Sequence, residues 1–159
     1  MKKLMFALAL IGAFAFTACE NQKSAESDKL NIIFETDMGN DIDDAMAMDM
    51  LYKYLDRDMI NLLAVCINKD GLAPVEFMDI MNTWYGYPDI PVGMIRNGAD
   101  CETDAINYAK AVVNLKNEDG TPKFARSHSN YDQYPDAHIL YRQILSQMPD
   151  NSVTIVSVG

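Results

Sequence analysis

The sequence is short of positive charge. It has 13 lysine and arginine residues against 23 aspartate and glutamate residues, which gives a formal net charge of −10 at pH 7. A surface with this excess of negative charge repels phosphate groups. The composition therefore argues against a nucleic acid or an anionic lipid surface as a partner. It is compatible with the binding of cations.

Long apolar segments are also lacking. The mostly apolar run Leu4–Phe16 follows Lys2 and Lys3, and it is too short to span a bilayer comfortably as a mature helix. A positively charged start, an apolar centre and small residues at the end are typical of an export signal. We therefore expect residues 1–18 to be a signal peptide.

Cysteine is rare, and the first one follows the export signal. Phe16-Thr17-Ala18-Cys19 resembles a bacterial lipobox, in which Cys19 is lipidated and becomes the mature N-terminus. We expect residues 19–29, which have no apolar stripe, to be a flexible tether. The protein would then be lipid-anchored in the bacterial cell envelope, outside the cytoplasm. An ordinary secretory signal with a chance cysteine is the alternative.

The other two cysteines are Cys66 and Cys101. Cys66 lies in an apolar run and is predicted to be a small core residue. A Cys66–Cys101 disulfide in an oxidising compartment stays open, because the sequence alone cannot establish a pairing.

Residues 30–159 have the length of one small domain. Short apolar runs alternate with helical patterns, which predicts a β-α-β-α-β series and an α/β fold with an open, mainly parallel sheet and flanking helices. The predicted strands are Leu30–Phe34, Ile60–Ile67, a short strand within Pro88–Met94, and Val153–Gly159. The predicted helices are Ala45–Leu55, Pro74–Tyr85, Thr103–Leu115 and Asp136–Gln147.

An acidic loop follows the first predicted strand. Five carboxylates fall within ten residues around Gly39, namely Glu35, Asp37, Asp41, Asp43 and Asp44. Like charges this close repel unless they stay solvated, share protons or bind a cation. The loop also lies at the carboxyl end of a buried strand, where open parallel sheets bind their ligands. These features favour a cation site on a strand-to-helix loop.

The acidic loop has three other interpretations besides a cation site. A solvated acidic loop could cap the following helix, with Asp41 or Asp43 as the N-cap and Asp44 favouring the dipole. An EF-hand fits less well, because the glycine is misplaced and no glutamate closes the twelve-residue frame after Asp37. A phosphatase-type pair also fits less well, because Glu35 would have to be the nucleophile.

The segment E-T-D-M-G-N-D-I-D-D-A-M-A, starting at Glu35, resembles the N-terminal signature of the inosine-uridine-preferring nucleoside hydrolases. The resemblance covers most of residues 30–159 and only the N-terminal half of the family's fold. It implies a Rossmann-like nucleoside hydrolase fold and calcium-dependent hydrolysis of the N-glycosidic bond of ribonucleosides, which gives free base and ribose. The substrate would be a small nucleoside. Oligomeric state, including a homo-oligomer, is left open.

The resemblance also implies roles for single residues. Asp37 matches the aspartate that binds calcium and acts as the general base, and Asp44 matches a second calcium ligand. Asp43 matches the residue that holds the ribose hydroxyls, and Asn68 matches a substrate-binding asparagine. The backbone carbonyl of Val158 falls where the family supplies a calcium ligand from its fourth strand.

The chain also departs from the family. Glu35 replaces the usual first aspartate, and Asn40-Asp41 is extra, so Asp41 is an alternative to Asp43 at the sugar. Val158 stands where a hydroxyl residue is common. The late aspartate ligand and the leaving-group histidine have no counterpart, so we expect this chain to be the N-terminal part of a longer enzyme.

Two other functions are compatible with the same residues. One is a surface lipoprotein that binds calcium or a ribosylated ligand without turnover, and the other is a related glycosidase of different specificity. Among the remaining polar residues, His128 is predicted to be a solvated loop residue, although a role at the site is open. His138 and Arg142 are predicted to lie on a helix surface.

Overall fold

A computed structural model describes residues 29–98 and 107–159. The predicted signal peptide, Cys19, Cys101 and the first part of the predicted helix Thr103–Leu115 lie outside the described residues. No helix within the two described ranges is long and apolar enough to cross a membrane.

Four parallel strands form one sheet, and the predicted α/β fold with an open parallel sheet and flanking helices is confirmed. The strands are β1 (Leu30–Thr36), β2 (Ile60–Ile67), β3 (Val92–Gly93) and β4 (Val153–Val158), and their order across the sheet is β3-β2-β1-β4. The helices are α1 (Asp43–Asp56), α2 (Ala73–Tyr85), α3 (Tyr108–Val113) and α4 (Ala137–Leu145), and a 3-10 turn covers Tyr131–Gln133.

The helices cover both faces of the sheet. Successive side chains of a strand point to opposite faces. Accordingly, Phe34 packs in a large core with residues of α1, α2 and α3, whereas Ile33 packs with Leu140 of α4 and Cys66 of β2. Cys66 is a buried core residue, as predicted. Of the helices between β3 and β4, α3 therefore lies on the same face as α1 and α2, and α4 lies on the opposite face.

The start of α1 differs from the prediction. The N-cap is Ile42, and no side chain caps it, so the alternative in which Asp41 or Asp43 is the N-cap does not hold. Asp43 and Asp44 instead lie in the first turn, where a negative charge is favourable near the positive end of the helix dipole.

Three large apolar residues of α2 and α4 are exposed. Trp84 is 73% exposed and contacts Phe124 edge to face. It lies in the last turn of α2, beyond the part of the helix that the sheet covers. Ile139 and Leu145 are each 41% exposed, because α4 presents mainly Leu140 to the sheet. Arg142 is exposed, as predicted.

The contact between β3 and α4 depends on Gly93. A Cβ atom at this position would lie 2.8 Å from the Cα atom of Ala137 and 3.2 Å from Cδ2 of Leu140. A side chain therefore cannot be added without moving the backbone of α4. Gly93 thus places the start of α4 at the carboxyl edge of the sheet, close to the ends of β2 and β3.

Candidate functional site at the carboxyl edge of the sheet

The ends of β1 and β4 lie side by side, with Thr36 paired to Val158. The order of the strands reverses at this point, because β2 and β3 lie on one side of β1 and β4 lies on the other. Ligand crevices in open parallel sheets form where the strand order reverses. The acidic loop, residues 37–42, starts at this position.

Thr36 connects the end of β1 to the first turn of α1. Its buried hydroxyl donates a hydrogen bond to Oδ1 of Asp44 at 2.5 Å and accepts one from the backbone N–H of Met38 at 3.1 Å. A hydroxyl has one proton, so with this pattern the proton points at the carboxylate. Thr36 therefore fixes both the acidic loop and the rotamer of Asp44.

Asp44 is a buried carboxylate, with 4% of the residue exposed. Burial raises the pKa of Asp44 to about 6, the hydrogen bond from Thr36 opposes this rise, and the negative charges of Asp37 and Asp43 add to it. The folded protein therefore holds the charged form of Asp44 at a cost in free energy. A cation bound at this place would remove that cost.

Asp37 lies between Asp44 and the end of β4. The side chain of Asp37 lies close enough to Asp44 for its negative charge to raise the pKa of Asp44. On its other side, Asp37 lies against Gly159, where a Cβ atom would be 2.8 Å from Oδ1 of Asp37. Gly159 has a φ of +141°, which glycine adopts readily. The absence of a side chain at Gly159 allows β4 to approach Asp37.

The other predicted site residues surround this pair. Val158 lies at the same edge through its pairing with β1. Asp43 is exposed at the first position of α1, and Asp41 is exposed in the preceding loop, so burial does not distinguish them as ligands of a sugar. Asn68 is exposed after β2, and its backbone N–H donates to the carbonyl of Thr36 at 2.9 Å. The topology thus brings the predicted residues to one edge of the sheet.

The donors present at this edge suit a hard cation. Calcium and magnesium take oxygen ligands, and Asp37, Asp44 and the carbonyl of Val158 supply oxygens. Within residues 29–98 and 107–159, no three histidine, cysteine, aspartate or glutamate side chains form a group that could hold a metal ion. The described residues thus place two carboxylates and one backbone carbonyl at this edge, which is fewer ligands than calcium takes.

Sequence reasoning missed three residues that support the acidic loop. Thr36 is the first. The alternation of side chains along β1 could have identified it, because this alternation places Thr36 on the face that α1 covers. Lys69 is 9% exposed, and its ammonium group donates to Oδ1 of Asn40. The hydroxyl of Tyr108 donates to Sδ of Met38 at 2.9 Å, and burial, together with the charge of Asp44, raises the pKa of Tyr108. Lys69, which follows β2, and Tyr108 of α3 are far from the loop in the sequence, so no local pattern reveals them as its partners.

A separate pocket opens on the α4 side of the same edge. It has a volume of about 230 Å³ and is lined by residues from the ends of β1, β2 and β3 and from the start of α4. Glu35, Asn68 and His138 are among the lining residues. His138 is exposed on α4, as predicted, and it also borders this pocket.

His128 is an exposed loop residue, as predicted, but its side chain also has a specific partner. Its Nδ1 atom lies 3.1 Å from Oδ1 of the buried Asp79, and its ring packs edge to face on Tyr134. Asp79 also accepts hydrogen bonds from the backbone N–H groups of Ser127 and His128 and from the hydroxyl of Tyr131. His128 therefore helps to attach the loop after α3 to α2, and none of these contacts involves the acidic loop.

Comparison with known proteins adds no relative. No protein-family model and no curated protein sequence matches the chain. The function is therefore inferred from the acidic motif and from the geometry of Thr36, Asp37 and Asp44.

Proposed function

We propose that the protein is a calcium-dependent nucleoside hydrolase, which cleaves the N-glycosidic bond of ribonucleosides to give free base and ribose. One observation supports this most strongly: the buried Asp44, oriented by Thr36, lies beside Asp37 where the strand order reverses. Both carboxylates belong to the motif that resembles the nucleoside hydrolases. A helix cap would need neither the burial of Asp44 nor a second carboxylate beside it.

Cleavage of an N-glycosidic bond builds positive charge on the sugar as the bond to the base breaks. Carboxylates below the sugar stabilise that charge and accept hydrogen bonds from the hydroxyl groups. In this proposal Asp43, which is exposed next to the buried Asp44, binds the ribose hydroxyls. Asn68, exposed at the end of β2, contacts the substrate from the neighbouring strand.

Asp37 is the proposed general base. It lies at the crevice, and its side chain is only partly buried, so a water molecule can reach it. Asp37, Asp44 and the carbonyl of Val158 would hold the calcium ion. When bound, calcium lowers the pKa of a coordinated water and so supplies the nucleophile for attack on the sugar. We further propose that the reaction takes place at the cell envelope, with the protein anchored through Cys19.

The proposal is tested by measuring release of free base from inosine and uridine. The complete protein, expressed from its native coding region, is assayed with calcium and with excess EGTA. We expect base release with calcium, its loss with EGTA, and a fall of at least about 10²-fold in kcat for Asp37→Ala. Asp89→Asn is the matched control, because Asp89 is exposed before β3, at the opposite edge of the sheet.

The binding-only alternative predicts a different result. A protein that binds ribosyl ligands without turnover would be stabilised against heat by inosine but would release no base. Normal turnover by Asp37→Ala would contradict the role given to Asp37. Base release that is unaffected by EGTA would contradict calcium dependence.

A further inference from the structure

The pocket on the α4 side of the sheet edge shares Asn68 with the proposed substrate site, but the proposed reaction uses none of its other lining residues. Its volume of about 230 Å³ lies below the range of about 300–1,000 Å³ that is usual for drug-sized ligands, so it suits a smaller molecule. Apolar walls come from Ile67 of β2, from Met94 and from Ala137 of α4. Polar groups stand at its margins.

Glu35 supplies a carboxylate to this pocket from the end of β1. It is partly buried, and in the register of the sheet it lies between Cys66 of β2 and Ser157 of β4. Among the described residues, no lysine, arginine or histidine lies within ion-pair distance of Glu35. Its negative charge is therefore not neutralised by a neighbouring side chain.

Arg96 also lines the pocket, but its guanidinium group is already paired with other groups. Its guanidinium group forms an ion pair with Asp136 and donates to the carbonyl oxygens of Asp132 and Tyr134 at 2.8 and 2.6 Å. These contacts hold Arg96 against the segment before α4. Arg96 and Asp136 thus cancel each other's charge and leave that of Glu35 unchanged.

Two other titratable groups in the lining stay neutral. Burial raises the pKa of the Cys66 thiol to about 12, although a hydrogen bond with Tyr141 opposes the rise and the charge of Glu35 adds to it. Burial also raises the pKa of Tyr141, as do the neighbouring Cys66 and Glu35. A ligand would therefore meet one carboxylate charge, a phenol hydroxyl and apolar walls, with His138 exposed at the rim.

We propose that this pocket binds a small organic cation, with the ammonium or guanidinium group of the ligand paired to Glu35 and its apolar part against Ile67 and Met94. A buried or half-buried carboxylate without a partner gains most from a ligand that brings a charge of the opposite sign and hydrogen-bond donors. The site is separate from the acidic loop, because Glu35 and Thr36 are neighbours in β1 and their side chains point to opposite faces. The proposal does not rest on the hydrolase activity.

The first test is a binding titration of the complete protein, followed by NMR or calorimetry. The probes are n-butylammonium and methylguanidinium, with n-butanol as the neutral probe and butyrate as the anionic one. We expect millimolar binding of the two cations and much weaker binding of butanol and butyrate. Saturable binding of butanol as tight as that of butylammonium would overturn the proposal, as would no binding of either cation at high millimolar concentration.

Variants locate the site and separate it from the acidic loop. Glu35→Gln keeps the size of the side chain and removes its charge, so we expect the affinity for butylammonium to fall by at least about tenfold. Asp44→Asn should leave that affinity unchanged, because Asp44 lies on the other face of the sheet. Unchanged binding by Glu35→Gln would overturn the proposal. A thermal melt of each variant shows that it is folded, and Tyr141→Phe serves as a second pocket variant that leaves Glu35 intact.

Discussion

Replacing Asp44 by asparagine should have opposite effects on stability and on calcium binding. Asp44 is almost completely buried, and its ionised form is unfavourable in the folded protein. Asparagine has nearly the same shape and keeps an oxygen that can accept the hydrogen bond from Thr36. The variant should therefore be more stable than the wild type without metal, and it should bind calcium less tightly.

The magnitude follows from the pKa. The pKa of Asp44 rises from 3.8 in the unfolded chain to about 6 in the fold. Each unit corresponds to about 1.4 kcal/mol, so the ionised carboxylate costs roughly 3 kcal/mol. Because the folded pKa is the higher one, this cost is absent below about pH 4, grows between about pH 4 and 6, and is complete above about pH 6. The buried amide of asparagine needs a hydrogen-bond partner, which reduces the benefit. We therefore expect the free energy of unfolding to rise by about 1–3 kcal/mol at pH 8.

Urea unfolding at pH 8 and near pH 4, with EGTA and with calcium, measures both effects. With EGTA, the Asp44→Asn variant should be more stable than the wild type at pH 8, and this difference should vanish near pH 4. Calcium at about 100 times its Kd should stabilise the wild type by about 2.7 kcal/mol and the variant by clearly less. Asp41→Asn, which changes an exposed carboxylate of the same loop, should alter stability by no more than about 0.5 kcal/mol.

The reasoning would be refuted by an Asp44→Asn variant that is less stable than the wild type in EGTA at pH 8. That result would mean that the ionised carboxylate stabilises the fold. Equal calcium stabilisation of both proteins would show that Asp44 is not a calcium ligand, and no calcium stabilisation of either would show that the acidic loop is not a metal site.

Three further predictions concern other parts of the fold. Thr36→Val removes the hydroxyl that orients the buried carboxylate of α1, so calcium affinity measured by calorimetry should fall although every proposed ligand remains. Asp79→Asn should destabilise the protein at pH 7 by about 1–3 kcal/mol. Burial alone would raise the pKa of Asp79, but hydrogen bonds from His128 and its neighbours lower it, so its contribution is present above about pH 4 and lost as the pH falls. The free energy of unfolding should therefore fall less steeply with falling pH in the variant than in the wild type. Gly93→Ala should cost about 1–3 kcal/mol in urea unfolding, because the added Cβ meets the backbone at Ala137.

Local sequence patterns were sufficient to predict the main helices and strands of the fold. The apolar run Ile60–Ile67 is β2 with the predicted bounds, and the predicted helix Pro74–Tyr85 differs from α2 by one residue. Both segments have strong patterns and clear breaks at their ends. The N-cap of α1 could not be identified from the sequence, because the acidic loop contains several residues with good capping side chains and the N-cap is Ile42.

The contacts that position the site residues were harder to predict, because they join segments that are distant in the sequence. Asp37 and Asp44 stand out in the sequence as members of an acidic run. The short contact of Asp37 with Gly159 joins residues 122 positions apart, and no local pattern contains it. The pairing of His128 with Asp79 is similar, since a loop histidine has no local signal that identifies a partner on an earlier helix.

Strand β1 has a further consequence for how this protein can vary. Glu35 and Thr36 are adjacent, yet one supplies the pocket beside α4 and the other orients Asp44 on the opposite face. Insertion of a single residue within β1 would exchange the two side chains and place a second charge against the buried carboxylate. Residues 37–42 are under no such constraint, because a loop can lengthen without changing which face a strand residue occupies. Natural or engineered changes of length should therefore accumulate in this loop, and β1 should keep its number of residues.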